Sequence, residues 1–471
     1  MLKRFTVSNF RSFRDEAVLD LSATGVREHS YHVRASRTGD RILPVAAIYG
    51  SNASGKSNLY LAMEYMRDAV LLSTDYSSAG EDARRRAYKG PDPYLLSRDS
   101  AERPSRFEVS FTMDGLDEDD TTLYTYGFEA DRERVCSEWL YTRARTARKS
   151  VCVFERDTRS RPEFRDWKRI PVRERRNLET VMEGQTQTLA VSVGRILRIP
   201  VMQSVYKWFA SVELHDFASP VETIIRARQI PEGLPDDEAV RDRVVAYLHG
   251  FDSSITRLRT EPVREDQDEE DGDRRYRLWS EHRLEDGSGT VPIDFGSESA
   301  GTRKMFMLYD PLRQVMQRGG VLFTDELYAR LHPLLFRGLV QMFPDPEQNR
   351  RGAQLIFTSH DTNVLSRDLL RRDEIFLVEK SSQGASELYS LWDVEEDDGA
   401  RIRGDADYEK NYLLGRYGAI PAIGPISVSP ERSAGVGRPE RPSAARAEDG
   451  RSEGPVVRKP SRAESTGGGE G

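Results

Sequence analysis

The chain has 471 residues, of which 31% are charged, and carries a net charge of −8. That length suggests two or three domains with ample material for a core. The acidic balance excludes a protein coated all over with basic charge for nucleic acid, although a local basic patch stays open. Cys136 and Cys152 are the only cysteines; they fit neither a disulfide framework nor a metal-site spacing, so a reducing cytosol is the simple reading. No run approaches the ~18 apolar residues of a membrane span. No apolar leader segment follows Met1-Leu2-Lys3-Arg4-Phe5, so a cytoplasmic protein without a membrane partner is expected.

In chain order, residues 2–7 read as a short apolar strand, Asn9-Phe10-Arg11-Ser12-Phe13 as a turn, and 17–21 as a second, alternating strand at a sheet edge. Val45-Ala46-Ala47-Ile48-Tyr49 is a short buried strand. It runs into Gly50-Ser51-Asn52-Ala53-Ser54-Gly55-Lys56-Ser57, which matches the phosphate-loop pattern G-x-x-x-x-G-K-[ST]. Leu59, Met63, Met66 and Val70 then recur at helical spacing, so the loop opens a helix. Gly50 and Gly55 let the backbone turn tightly and bring its N–H groups against phosphate oxygens, and the helix N-terminus adds its positive end. The candidate nucleotide cradle is therefore Gly50, Ser51, Asn52, Ala53, Ser54, Gly55, Lys56, Ser57 and Asn58. Lys56 would neutralise the β/γ-phosphates of ATP and Ser57 would ligate Mg²⁺. The bland alternative is a turn of small residues.

A polar, arginine-rich linker is expected around 81–87. Residues 106–111, 122–128 and 135–141 then alternate with period two, as half-buried antiparallel strands do. From 141 to 176 there are thirteen Lys and Arg against five acids, with Phe154, Phe164 and Trp167 interleaved. Such a run is either a solvated basic face or a contact with a phosphate backbone. Residues 177–250 have helical periodicity, for example at Leu189, Val193, Ile196 and Leu197, broken by Pro200 and Pro220; 237–248 forms a further helix stopped by Gly250. Glu265-Asp266-Gln267-Asp268-Glu269-Glu270-Asp271 reads as a solvated acidic loop, and the absence of sustained heptads argues against a long coiled coil.

A Mg²⁺-dependent phosphate loop needs acids at the end of another strand. Gly320-Val321-Leu322-Phe323-Thr324-Asp325-Glu326 supplies them. Asp325 would hold the Mg²⁺ shell and Glu326 would deprotonate the attacking water. Upstream, Ser297-Glu298-Ser299-Ala300-Gly301-Thr302 precedes a helix through Met305, Leu308, Tyr309, Leu312, Val315 and Met316, which Pro311 should kink. Its start is an ordinary N-cap or, again, an anion site. Leu331-His332-Pro333 enters another helix that should stop near Pro344. Leu355-Ile356-Phe357-Thr358-Ser359-His360-Asp361 is an apolar strand ending in His360, which reads either as a structural histidine or as a switch touching the γ-phosphate. Beyond Pro421 the composition collapses into Ser, Arg, Pro, Glu and Gly, so a disordered tail is expected to Gly471.

The order of phosphate loop, long insertion, small-residue signature, acidic pair and histidine strand resembles the ABC-type ATPases of the SMC, RecN and RecF kind. Val7-Ser8-Asn9-Phe10-Arg11-Ser12-Phe13 looks like their first hairpin. Closer still is the resemblance to the AAA-domain ATPases of bacterial abortive-infection and antiphage systems. It is carried by Glu298-Ser299-Ala300-Gly301-Thr302, Asp325-Glu326, Leu331-His332-Pro333, Thr358-Ser359-His360-Asp361 and Tyr412-Leu413-Leu414-Gly415-Arg416-Tyr417-Gly418-Ala419-Ile420-Pro421. The implied fold is α/β: a P-loop NTPase with an ABC-like head, an antiparallel β-lobe and an inserted helical/β lid. The expected divisions are 1–170 and 291–421 for the two parts of the head, 171–290 for the insertion, and 422–471 for the tail.

The resemblance also implies a mechanism. Two heads would dimerise head-to-tail, or assemble further, with ATP between them, so that Ser299 and Gly301 of one meet the γ-phosphate held by Lys56 of the other. Glu326, Lys56 and His360 would be catalytic, with Ser57 and Asp325 on the metal. A separate effector, a nuclease or toxin, would be gated by this cycle in antiphage defence. A RecF-like DNA-binding or repair ATPase is the alternative, motivated by the basic run; the insertion and the RecF-like start count against a transporter subunit. Two departures from the pattern, the lack of a Q-loop glutamine (Tyr94 to Ser97 stands about there) and Tyr328 where relatives often carry an acid, imply slow or partner-dependent hydrolysis.

Overall fold

The computed structural model describes residues 1–75, 88–161, 163–165, 167–219, 229–263, 276–395 and 401–420. The linker at 81–87, Pro220, the acidic loop at 265–271, Pro421 and the tail from 422 lie outside the described residues.

The central sheet has five parallel strands in the order Val212–Asp216, Val321–Asp325, Gln354–Thr358, Val45–Gly50 and Ile375–Lys380, with Ser386–Ser390 as an antiparallel edge. Side chains alternate across it. Val45, Ala47, Tyr49, Leu322, Leu355 and Leu377 face one apolar cluster together with residues of helices Ala300–Arg318 and Pro333–Met342. Ala46, Ile48, Phe323, Ile356 and Val378 face another. Both faces are covered, which is why these strands read as unbroken apolar runs.

The second cluster is shared with helix Lys56–Leu72, whose Leu59, Met63, Met66 and Val70 are all buried. This helix is sandwiched between the central sheet and a seven-stranded antiparallel sheet. That outer sheet runs in the order Phe164–Arg165, Val151–Asp157, Val135–Ala144, Thr122–Ala130, Ser105–Thr112, Leu2–Ser8, Ala17–Asp20. Tyr60 meets Phe323 edge-on at 5.5 Å on one side of the helix, and Tyr65 meets Phe107 at 5.0 Å on the other. A third layer of helix Glu238–His249 and strands Ile255–Pro262, Tyr276–Arg283 and Thr290–Asp294 forms its own cluster, closed by Phe306 and Tyr309 of helix Ala300–Arg318.

Two local readings change, at Val212–Asp216 and at Pro200. Val212–Asp216 falls in a stretch read as helical, yet its five residues pair with Val321–Asp325 as an edge of the central sheet. Pro200 starts a helix, Pro200–Ala210, rather than only breaking one, because at the first turn it forfeits no helical hydrogen bond. Helix Ala300–Arg318 runs through Pro311 and stops at Gly319, whose φ of 77° closes it with a bond to Val315 O.

Gln354, fully buried, ties the two main sheets together. Its amide donates to Leu2 O at 2.8 Å and Leu43 O at 2.9 Å, and its oxygen accepts from Leu2 N at 2.5 Å. Gln354→Leu keeps the apolar stem and orphans three backbone groups. We expect it to lower stability by about 3 kcal/mol in urea unfolding, since each unpaired buried group costs roughly 1–3 kcal/mol. A loss below about 0.5 kcal/mol, the scatter of surface substitutions, would contradict this.

Candidate active site

Ligand sites in parallel sheets lie outside the carboxyl ends of the strands, and all the sequence-marked acids and the phosphate loop emerge at that edge. The loop is held from below. Ser12, in the opening turn, and Ser386, at the edge strand, bond to each other at 2.8 Å; Ser386 Oγ donates to Ser54 O at 2.5 Å, and Asn58 Nδ2 donates to Ser12 Oγ at 2.7 Å. Gly55, at φ 117°, has no room for a side chain: a Cβ would stand 2.4 Å from Ser386 Oγ and 2.7 Å from Ser12 Oγ. A Cβ on Gly50 would stand 2.4 Å from Val378 O. Ser51, Asn52, Ala53, Ser57 and Asn58 keep access to solvent, whereas Ser54 is buried with no hydrogen-bond partner for its hydroxyl among the described residues.

Lys56 Nζ donates to Gly50 O at 2.9 Å and Ser51 O at 3.0 Å, and lies 3.4 Å from His360 Nδ1. Burial draws this amine down to about 8, with Asp325 and Glu326 opposing. His360 Nε2 is 3.8 Å from Glu326 Oε1, so lysine, histidine and carboxylate form one continuous cluster. Burial and then Lys56 lower the His360 pKa, favouring the neutral imidazole. Thr358, at the end of the strand between the phosphate-loop strand and the acidic strand, joins the pair: its hydroxyl donates to Asp325 Oδ1 and accepts from Glu326 N at 3.0 Å. Glu326 itself has φ 53°, a left-handed backbone that an unbranched glutamate adopts only at a cost. Its carboxyl is raised above the usual range by burial first and by Asp325 next, with Asp216 adding and Lys56 opposing.

An oxygen donor set of one hydroxyl, Ser57, and one carboxylate, Asp325, suits Mg²⁺, which takes few protein ligands and completes its shell with phosphates and water. No cluster of three or more His, Cys, Asp or Glu that could hold a metal occurs among the described residues. The buried Ser54 hydroxyl, the side-chain-free glycines and the first amides of helix Lys56–Leu72, which have no carbonyl within their helix, fit a phosphate chain in the same way.

Ser299 and Gly301 belong to a different cluster. Exposed Ser299 caps helix Ala300–Arg318, its Oγ accepting from Thr302 N at 3.0 Å, and Thr302 Oγ1 donates to Asp252 at 3.1 Å. A Cβ on Gly301 would stand 3.3 Å from Arg330 O. Glu298 accepts from His282 Nε2 at 2.6 Å and from the Ser280 hydroxyl, tying the turn to the three-stranded sheet. Tyr94 is buried, with its hydroxyl on Gln383 O at 3.0 Å, so that stretch braces a turn beside the edge strand. The Tyr328 ring stands 6.5 Å from His360.

Sequence reasoning missed Thr358 as a bridge, Asp216 beside Asp325 in register, and the Ser12–Ser386 pair. Thr358 was within reach, in the run that ends at His360. Asp216 was not, because the strand carrying it was read as helix. In the basic run, Arg156 is buried on Thr188 O and Gln185 O, and Phe154, Phe164 and Trp167 pack on one another at 4.9–6.1 Å. Those rings are core; Lys168, Arg173 and Arg176 stay exposed.

A glycine-rich loop between a buried strand and a helix, on a parallel sheet whose neighbouring strands deliver Asp325, Glu326 and His360, defines a P-loop NTPase. The chain belongs to the family described as "AAA domain, putative AbiEii toxin, Type IV TA system", matched over residues 45–179 and 199–366, more than half of its length. Among solved structures it is similar to the SmcHead bound to the C-winged helix domain of ScpA (13% identity over 83% of this chain and 97% of that one, TM-score 0.40). It is also similar to the SMC head domain from Thermotoga maritima (12% identity, 83% and 98% covered, TM-score 0.37). No curated protein matches it. No helix among the described residues is long and apolar enough to cross a membrane.

Gly55→Ala would force a methyl into the Ser12–Ser386 pair. Backbone strain of about 1–3 kcal/mol should weaken binding of a fluorescent ATP analogue by roughly tenfold or more, read by titration. Unchanged affinity would show that the loop does not need this geometry.

Proposed function

We propose that this protein is a Mg²⁺-dependent ATPase that dimerises around ATP and gates a separate effector, a nuclease or toxin, in cytoplasmic antiphage defence. The observation that carries the enzymatic part is the single cluster in which Lys56, His360, Glu326, Thr358 and Asp325 touch in sequence across three strand ends. Lys56 and the amides of the loop bind the β/γ-phosphates. Ser57 and Asp325 would hold the Mg²⁺, which when bound neutralises charge on those phosphates. Glu326, whose carboxyl burial holds above its usual range, accepts the proton of the attacking water. His360, neutral, orients against both Glu326 and the terminal phosphate.

The dimer rests on Ser299 and Gly301. Ser299 stands exposed at the N-terminus of a 19-residue helix with its hydroxyl turned back on Thr302, and Gly301 is half-buried in the first turn. A helix N-terminus is a modest anion site alone but completes a second wall around a phosphate held elsewhere. Effector gating rests on the family description, which names a toxin of a toxin–antitoxin system.

Glu326→Gln keeps the pocket's shape and removes the base. It should lower kcat by at least about 100-fold and leave a species of doubled mass in ATP, seen by light scattering; Lys56→Ala should show neither binding nor the mass change. Wild-type turnover in Glu326→Gln, or no ATP-dependent change in mass, would contradict the proposal. A second reading, DNA contact as in RecF-like ATPases, is favoured by the exposed cations of the basic run, Lys168, Arg173 and Arg176 among them. It requires duplex binding that weakens steeply with salt and is lost on charge reversal of Arg173 and Arg176, measured by anisotropy; binding indifferent to both would dismiss it.

A further inference from the structure

Lys304 is 4% exposed, one turn into helix Ala300–Arg318. Its Nζ donates to the backbone oxygens of Glu326 at 3.3 Å, Leu327 at 2.5 Å and Ala329 at 2.8 Å, which uses every N–H of an ammonium. The same amine lies 4.1 Å from the centre of the Phe217 ring, and the Phe217 amide donates to Asp325 O at 3.1 Å. Burial draws Lys304 down to about 7; the Glu326 carboxylate opposes and Arg330 adds to the fall, so a cage of carbonyl oxygens is what an ammonium here requires.

The segment it gathers is under strain. Glu326 at φ 53° and Arg330 at φ 66° are both left-handed without being glycine, a conformation that persists only where surrounding structure over-determines it. Within the segment, Ala329 N bonds to Glu326 O and Leu331 N to Tyr328 O, two short turns in succession. These turns leave the carbonyls of Glu326, Leu327 and Ala329 converging on one buried point. Remove the ammonium and the Leu327 and Ala329 carbonyls lose their donor while Glu326 O keeps only the Ala329 amide, and the first thing to move is the backbone that aims Glu326.

We infer that Lys304 is a positioning residue for hydrolysis: it fixes the backbone of Glu326 and thereby makes the helix that begins at Ser299–Gly301 and the general base of the same chain move as one body. The inference rests on the reading of Glu326 as the base. ATP hydrolysis by the wild type that is lost in Glu326→Gln establishes that reading on its own.

Against that background, Lys304→Met should lower kcat by about 30- to 100-fold, the scale of an ångström-sized misplacement of a catalytic group. KM and the affinity for a fluorescent ATP analogue should stay within about twofold, since the phosphate loop is untouched. Lys304→Arg, which keeps charge and several donors, should recover at least about tenfold of that loss. In a Glu326→Gln background, Lys304→Met should cost nothing further, because both changes act on one group. Wild-type kcat in Lys304→Met, or a loss that multiplies fully with that of Glu326→Gln, overturns the inference. Should Lys304→Met not fold by circular dichroism, Lys304→Gln reads the same question: the kcat-specific, non-additive loss supports it and wild-type kcat overturns it.

Discussion

The parallel register of the central sheet is the constraint from which the site follows. Asp216 pairs with Asp325, Thr324 with Phe357, and Thr358 with Ile48, so the chain leaves each strand at nearly the same level. Acid, hydroxyl and phosphate loop, drawn from distant parts of the sequence, are thereby delivered to one edge. A parallel sheet can do this only if both faces are buried, because the crossovers lie on them. The outer sheet and the phosphate-loop helix cover one face, and the helices after Ser299 and His332 cover the other.

Three carboxylates, those of Asp216, Asp325 and Glu326, share that edge. Asp216 accepts two backbone amides, from Ala218 and Ser219. Asp325 takes the Thr358 hydroxyl. Glu326 has neither support: only its backbone is held, while its carboxyl faces Asp325, Lys56 and His360. Burial first, and Asp325 next, hold the Glu326 carboxyl above its usual range.

Much of this was legible in the sequence, for reasons that can be located. The phosphate loop and the acidic pair are local: glycine at fixed spacing and an apolar run emptying into acids are written in consecutive residues. The period-two strands at Ser105–Thr112 and Thr122–Ala130 were legible because one face of each is half-wet. Val212–Asp216 was not, because its five residues follow a helix directly and carry no turn signal. The aromatic residues of the basic run were left open for a related reason. Interleaved with arginine they look like a stacking platform, and only the third dimension shows Phe164 and Trp167 spent on each other. Likewise Ser12 and Ser386 meet only because the opening turn folds beneath a loop some forty residues on and an edge strand near the far end, a coincidence no local pattern encodes.

The helix beginning at Ala300 links two otherwise separate clusters. Toward the lid, Glu298 is held by His282 and Ser280, and Thr302 by Asp252. Toward the sheet, Lys304 is held by the segment after Asp325. Between these anchors lie Ser299 and Gly301, on a rigid turn whose own cap is satisfied. The three-stranded sheet thus has a short, hydrogen-bonded route to the backbone of Glu326, through fewer than two helical turns. Packed elements of this kind shift between discrete arrangements rather than deform smoothly. Ser299 and the backbone of Glu326 are thus joined through one short stretch of helix and one buried ammonium.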